Sequence, residues 1–304
     1  MSAPHASSDA RWPDRAKSWR LRSRQLNFTR VPALMGIVNV TPDSFSDGGR
    51  FVKTESAVAH ALSLAADGAD VIDIGGESTR PFSQPVDLDE ELRRVIPVVR
   101  SVCRRSDVPV SIDTSKADVA AAAIDAGAEI INDVTGLEGD RRMVQVASDS
   151  QAAVCVMHMR GTPQTMQIDP SYTDVVEEIY AYLTTRRGVL IAAGIAPDRI
   201  CLDPGIGFGK TTQHNLILLR RAGRFHAAGC PILVGHSRKG FLSNVAAGVS
   251  AQDSAATVGA ALAVARQGVQ VLRVHDVASI RESLALFAAC GGLDDGAPEG
   301  LSSG

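Results

Sequence analysis

Asp113, Asn132 and Asp203 each close a short aliphatic run, in the segments SIDT (111–114), INDVTG (131–136) and LDPGIGFGKT (202–211). All three accept hydrogen bonds, and Asn132 also donates. Carboxylates at the end of a buried strand need donors, or burial costs them several kcal/mol. A heterocycle with adjacent N–H and NH2 groups would supply those donors, and a bidentate carboxylate contact would fix its orientation. A divalent metal is the rival partner, and capping of the next helix is the structural alternative for each residue taken singly. A second set seeks anions. It comprises Lys239 beside Ser237 and Arg238, Arg273 and His275 in RVHDV, and Arg80 in STRP. Asn39 offers an oxygen ligand for Mg2+, which prefers oxygen and often bridges a diphosphate. The two sets together point to group transfer from an aminated ring with diphosphate leaving. Neither the identity of the ring nor the nucleophile follows from spacing.

Residues so far apart in sequence need a scaffold that converges them. Eight short runs read as buried parallel strands: Leu34–Val38, Val71–Ile74, Val110–Ile112, Glu129–Asn132, Val154–Met157, Ile200–Leu202, Ile232–Val234 and Val271–Val274. Between them, segments such as Ala57–Ala66, Glu90–Cys103, Val119–Ala126 and Ala255–Arg266 carry helical apolar spacing. A joint recurs as DGADVIDI (67–74), AGAEIIND (126–133) and QGVQVLRV (267–274), in which a glycine ends a helix and a strand follows. The pattern predicts an α/β fold, a single (β/α)8 TIM barrel over residues 33–290. A doubly wound open sheet is the alternative, and its dinucleotide-binding version lacks the expected GxGxxG after the first strand. In such barrels the active site lies at the C-terminal strand ends. Those ends carry Asn39, Glu77 to Arg80, Asp113, Asn132-Asp133, His158, Asp203, Ser237 to Lys239, Arg273 and His275.

Composition limits the remaining choices. The chain has 304 residues, 45% hydrophobic and 21% charged, with a net charge of −3. That balance fits a globular protein with a large core and gives no electrostatic footprint for nucleic acid. No apolar run approaches the roughly 18–20 residues of a membrane span. Cys103, Cys155, Cys201, Cys230 and Cys290 are scattered without a CxxC pair, which suits a reduced, cytoplasmic location. Residues 1–32 read as a basic, flexible extension or an early hairpin rather than a transit peptide, and 291–304 as a flexible tail.

Eight segments carry a family resemblance: MGIVNVTPDSFSDGGRF (35–51), DIGGESTRP (73–81), SIDT, INDVTG, MHMRGTPQTMQ (157–167), LDPGIGFGKT, LVGHSRKGFL (233–242) and RVHDV (273–277). In this order, over about residues 33–290, they resemble the dihydropteroate synthases, a family of pterin-binding enzymes. The resemblance implies condensation of 6-hydroxymethyl-7,8-dihydropterin pyrophosphate with p-aminobenzoate in folate biosynthesis, giving 7,8-dihydropteroate and pyrophosphate with Mg2+ required. It implies that Asp113, Asn132 and Asp203 hold the pterin, with Lys239 over the ring and Met157 on the wall. Asn39, Arg273 and His275 would bind pyrophosphate, with Asn39 also at the metal. Phe45 and Asp47 would close from one mobile loop, and Thr79, Arg80 and Pro81 from another. Phe208 and Pro81 would flank p-aminobenzoate, and Ser237 would meet its carboxylate. A dissociative, SN1-like path, sulfonamide inhibition and a homodimer through the Ala-rich helix at 255–266 are further expectations. Phe82 follows STRP where the family usually has glycine. It is expected to face solvent or pack on the rim, although a bulky group there can crowd the p-aminobenzoate side.

Two other readings give different expectations. A methyltetrahydrofolate-dependent methyltransferase would share the pterin-holding acids but have no use for a diphosphate site. A silent pterin-binding paralogue should have lost Asn39, Arg80, Lys239, Arg273 or His275, and all are present. Among the remaining polar residues, His236 is expected to pack, His214 and His226 to lie at the surface, and Lys210 to be a loop charge. Glu77 and Asp133 are expected to cap helices or bond neighbouring loops.

Overall fold

The computed structural model describes residues 11–41, 50–80, 83–245 and 254–294. After an antiparallel hairpin of β1 (Ser18–Arg20) and β2 (Gln25–Asn27), strands and helices alternate. The strands are β3 (Ala33–Asn39), β4 (Val71–Gly75), β5 (Val110–Asp113), β6 (Ile130–Asp133), β7 (Ala153–Met157), β8 (Ile200–Asp203), β9 (Leu233–Val234) and β10 (Val271–Val274). The helices are α1 (Arg50–Ala66), α2 (Leu88–Arg105), α3 (Ala117–Asp125), α4 (Met143–Ser150), α5 (Val175–Ala192), α6 (Thr212–Arg220), α7 (Ser254–Ala265) and α8 (Val277–Ala289). Strands β3 to β10 are parallel neighbours in the order β8-β7-β6-β5-β4-β3-β10-β9. A parallel bridge between Leu202 and Ile232 closes the ring. The open-sheet alternative is thereby excluded, and each predicted strand lies within a residue or so of its observed position.

Alternation along the strands explains both the core and the placement of the polar groups. Successive side chains on a strand face opposite sides. Leu34, Ile72, Ile112, Ile131, Val154, Leu202 and Leu272 therefore join the layer between barrel and helices. Met35, Val71, Ile130, Ala153, Cys155, Cys201, Leu233 and Val271 fill the barrel interior towards its N-terminal end. Two residues further along the same inward face come Asp73, Asn132, Met157, Asp203 and Arg273. The barrel is thus apolar at its floor and polar at its mouth. Helix ends fit the joints read from sequence: Gly68, Gly127 and Gly268 have φ of 93°, 115° and 76°, a backbone that costs glycine least.

Of the two readings for the N-terminal segment, the early hairpin holds and the flexible extension requires correction over residues 11–32. The hairpin seals the floor of the barrel, with Trp19 and Leu21 buried among the inward-facing residues of the strands. Trp19 Nε1 donates to Arg199 O at 2.8 Å, and Arg199 in turn bonds Leu21 O at 2.8 Å. Glu129 accepts from Ser23 N, Ser23 Oγ and Arg24 Nε. The arginines that suggested a solvated segment are spent on carbonyls and carboxylates: Arg15 Nε reaches Gly268 O at 2.7 Å. At the other end, Leu293 is buried, so the tail joins the core before the described residues end.

Candidate active site

The mouth is organised around one arginine and three inward-facing partners. Arg273, on β10, donates from Nε to Asp73 Oδ2 and from Nη2 to Asp113 Oδ2, both at 2.6 Å. Asn132 Nδ2 donates to the same Asp73 oxygen at 3.1 Å. Burial works against the charge on Arg273, but Asp73 and Asp113 outweigh it and hold the guanidinium firmly protonated. Burial pushes the Asp113 carboxyl up, with Arg273 opposing. Burial also raises Asp203, whose Oδ1 accepts from Gly205 N at 2.7 Å. Asp113 and Asn132 bond within the mouth, so neither serves as the helix cap that each could have been, while Asp203 fastens its own loop.

Lys239 comes in from the loop after β9. The residue is half-buried, its ammonium donating to Ile206 O and lying 4.2 Å from the centre of the Phe208 ring. Burial drags its pKa down to about 7, with Asp203 opposing. His275 pairs through Nδ1 with Ser237 Oγ at 3.0 Å. Burial first, then Arg238, Arg273, Arg80 and Lys239, depress His275 to about 3, so it stands neutral at pH 7. The positive charge of the anion-seeking set therefore comes from arginine and lysine. A small cleft lined by Ser237, Arg238, Thr257, Asp276 and Ser279 lies next to this pair, between the first turns of α7 and α8.

The structure brings Asp113, Asn132, Met157, Asp203 and Arg273 together inside the barrel. Lys239, Phe208, Ser237 and His275 stand around its rim. Asn39 ends β3 half-buried, opposite Gly75. Thr79 and Arg80 lie further out: Arg80 is exposed, and its loop is tied by Ser83 Oγ donating to Ser78 O at 2.5 Å. Phe45, Asp47, Pro81 and Phe82 lie outside the described residues.

Sequence reading missed Asp73. It sits two residues before the end of VIDIG, where a strand reads as uniformly buried, and only a charged residue inside that apolar run marked it. Its side chain is fully buried, and its Oδ1 has no hydrogen-bond partner among the described residues. Two expectations about bystanders also fail. His226 is buried, with Nε2 2.9 Å from Gln267 O, because the turn after α6 folds under Trp12. Lys210, expected as a loop charge, is only 2% exposed. His236 packs as expected, its Nε2 3.1 Å from Thr257 O. Glu77 bonds Lys116, and Asp133 takes Thr135 N and Oγ1, so both serve neighbouring loops.

The description "Pterin binding enzyme" fits residues 35–275 of the chain. The dihydropteroate synthase of Escherichia coli K12 is 42% identical over 258 residues, spanning 85% of this chain and 91% of that protein. The Yersinia pestis dihydropteroate synthase, solved in a sulfonamide drug complex, superposes with a TM-score of 0.84 at 41% identity, covering 90% of this chain and 98% of the other. The Xanthomonas albilineans dihydropteroate synthase in complex with 7,8-dihydropteroate gives 0.81 at 41% identity, with the same coverage. A polar barrel mouth built on these eight motifs, and relatives that match nearly end to end, lead to one conclusion: the chain belongs to the pterin-binding enzyme family, among its dihydropteroate synthases.

Proposed function

We propose that this barrel mouth condenses 6-hydroxymethyl-7,8-dihydropterin pyrophosphate with p-aminobenzoate, releasing 7,8-dihydropteroate and pyrophosphate. The observation that carries the reading is the apposition of buried hydrogen-bond acceptors, Asp113, Asn132 and Asp203, with half-buried Arg273 and Lys239 at one barrel mouth. The acceptors suit the N–H and NH2 edge of a pterin, and the cations suit a diphosphate.

The bond between the pterin methylene carbon and the diphosphate oxygen breaks, and its electron pair leaves with pyrophosphate. The resulting cation is delocalised into the pterin ring. The aniline nitrogen of p-aminobenzoate then forms the new C–N bond and loses a proton to solvent, so no strong general base is needed. Arg273, Lys239 and the N–H of neutral His275 stabilise the departing anion, while Asp113 and Asp203 favour the developing positive charge. Met157 forms a pterin wall. Phe208 and Pro81 bracket p-aminobenzoate, and Ser237 meets its carboxylate at the cleft between α7 and α8. Thr79 and Arg80, and by the family resemblance Phe45 and Asp47, would close over the site and exclude water, which would otherwise capture the cation.

Asn39 offers a single neutral oxygen donor at the mouth, a donor set that suits Mg2+ held largely by substrate phosphate oxygens and water. When bound, the ion neutralises charge on the diphosphate. The proposal places the enzyme in the cytoplasm, where its five free cysteines would remain reduced; no described helix is long and apolar enough to cross a membrane. We further propose a homodimer through the small-residue face of α7. A monomeric mass in sedimentation at micromolar protein would count against the dimer.

Turnover with the pterin pyrophosphate, p-aminobenzoate and Mg2+ tests the reaction, following dihydropteroate and pyrophosphate together. Equal amounts of both, abolished by EDTA and restored by Mg2+, are expected. Pterin binding without either product would sink the proposal.

A further inference from the structure

Lys210 is a buried lysine with no place in the mechanism above. Three acceptors surround its Nζ: Phe208 O at 2.8 Å, His158 Nδ1 at 3.1 Å and His158 O at 3.4 Å. His158 ends β7's run, packs edge-on against Tyr182 with ring centres 5.0 Å apart, and is held neutral, its pKa depressed to about 3 by burial and then by Lys210 and Arg160. Lys210 therefore joins the rigid end of one strand to the backbone of the loop that follows the next. The side chain could have turned outwards, since it follows directly on a glycine-rich loop; it turns inwards at the cost of desolvating its amine.

The loop it grips, residues 204–209, carries the Phe208 ring to the mouth. The loop lies so close to the 158–160 segment that a Cβ on Gly205 would fall 1.9 Å from His158 O, and φ there is 68°. Its remaining backbone groups are fastened by side chains from elsewhere: Gly207 N by Asn215 Oδ1 at 2.7 Å, and Gly209 O by Tyr172 OH at 2.9 Å. Around Phe208 itself, the carbonyl is held by Lys210 and the ring is met by Lys239. Lys239 contacts the ring from the mouth, whereas Lys210 fixes the backbone from within.

We propose that Lys210, with His158 as its anchor, is a positioning residue that sets the Phe208 ring as a wall of the p-aminobenzoate site. The inference rests on the reading of Phe208 given above. Its effect should fall mainly on the second substrate: Asp113 and Asn132 are fixed by Arg273 and Asp73, and the loop's backbone ties to Asp203 and Lys239 are made at Gly205 N and Ile206 O, ahead of the Phe208 carbonyl that Lys210 holds.

The test is a double-mutant cycle with Lys210→Met and Phe208→Ala, reading KM for p-aminobenzoate, kcat, and the Kd of the pterin pyrophosphate measured alone. Misplacement of a substrate-contacting ring by about 1 Å can cost up to about a hundredfold. Each single variant should raise KM for p-aminobenzoate by about tenfold or more and leave the pterin Kd within about twofold. The double variant should be no worse than Phe208→Ala alone, because Lys210 acts through that ring. Lys210→Gln, which keeps the site polar but shortens the reach, repeats the test if the methionine variant does not fold. A pterin Kd that weakens in parallel with KM, or losses that multiply in the double variant, would overturn the inference and make Lys210 a general structural group. If Phe208→Ala leaves KM unchanged, the reading of Phe208 fails and the inference falls with it. That outcome differs from Phe208→Ala raising KM while Lys210→Met does not, which sinks the inference alone.

Discussion

Asp73 and Arg273 lie 200 residues apart in sequence and meet at 2.6 Å inside the barrel. The contact joins β4 to β10 on either side of β3, and it is shared: the same Asp73 oxygen also receives Asn132 Nδ2. One buried carboxylate thus orients a cation of the anion-seeking set and an amide of the acceptor set. Asp113 takes the other arm of the guanidinium, so the two chemical halves of the mouth form one network.

Removing one partner of a buried pair leaves the other charge uncompensated, which costs about 3–5 kcal/mol. Asp73→Ala is expected to lower unfolding stability by that amount in urea titrations. It should also reduce kcat/KM for the pterin pyrophosphate by at least about a hundredfold, because Arg273 and Asn132 lose their orientation. An alanine variant with wild-type stability would show that Asp113 alone suffices to hold Arg273.

Asp113 faces both Arg273 and the proposed pterin edge. Asp113→Asn keeps shape and hydrogen bonding to Arg273 but loses the negative charge, and Lys239→Ala removes a cation at the diphosphate side. Each should cut turnover by about 10^2–10^3, with far-UV circular dichroism and a cooperative melt retained. A near-wild-type rate in either variant removes that residue from the mechanism.

Lys239 also gives the enzyme a pH dependence. Its pKa in the free enzyme is lowered to about 7 by burial, so it is cationic below that pH and neutral above. An anionic substrate binds the cationic form better, so Lys239 contributes a fall in kcat/KM for the pterin pyrophosphate as pH rises through about 7, superposed on the opposite limb from Asp113, which burial raises into the same range and which holds the pterin as a carboxylate. This ratio reports the free enzyme. Arg stays protonated throughout, so Lys239→Arg should abolish that limb whatever its absolute rate. A limb that persists at the same pH in the arginine variant assigns it to another group.

Much of this site is legible in the sequence because strand ends are marked by a change from aliphatic to polar residues. SID, IND, ICLD and VLRV each announce their inward-facing polar group by position, and the barrel rhythm says that those positions converge. Asp73 escapes that logic because its strand runs on for two further positions, Ile74 and Gly75, so no aliphatic-to-polar change marks it as an end. Lys210 and His226 escape for another reason. Their environment is made by segments remote in sequence, the end of β7 for the lysine and Trp12 for the histidine. The role of the N-terminal arginines was likewise hidden, since a carbonyl acceptor such as Gly268 O leaves no trace in residue type.

Trp19 tests whether the floor of the barrel and its mouth are energetically separate. Its ring is fully buried among Met35, Val71, Ile130 and Val271, and Asp73, Asn132 and Arg273 lie two positions on from the last three, towards the opposite end. Replacing a buried tryptophan by alanine costs about 3–5 kcal/mol, and Arg199 O would also lose its donor. Trp19→Ala should therefore melt well below the wild type, while kcat at a temperature where it remains folded should stay within about twofold. The separation follows from the layers: inward side chains at the floor pack on one another, and those at the mouth are fixed laterally by Arg273. If kcat falls in step with stability, the two layers move together, and the hairpin holds the site as well as the fold.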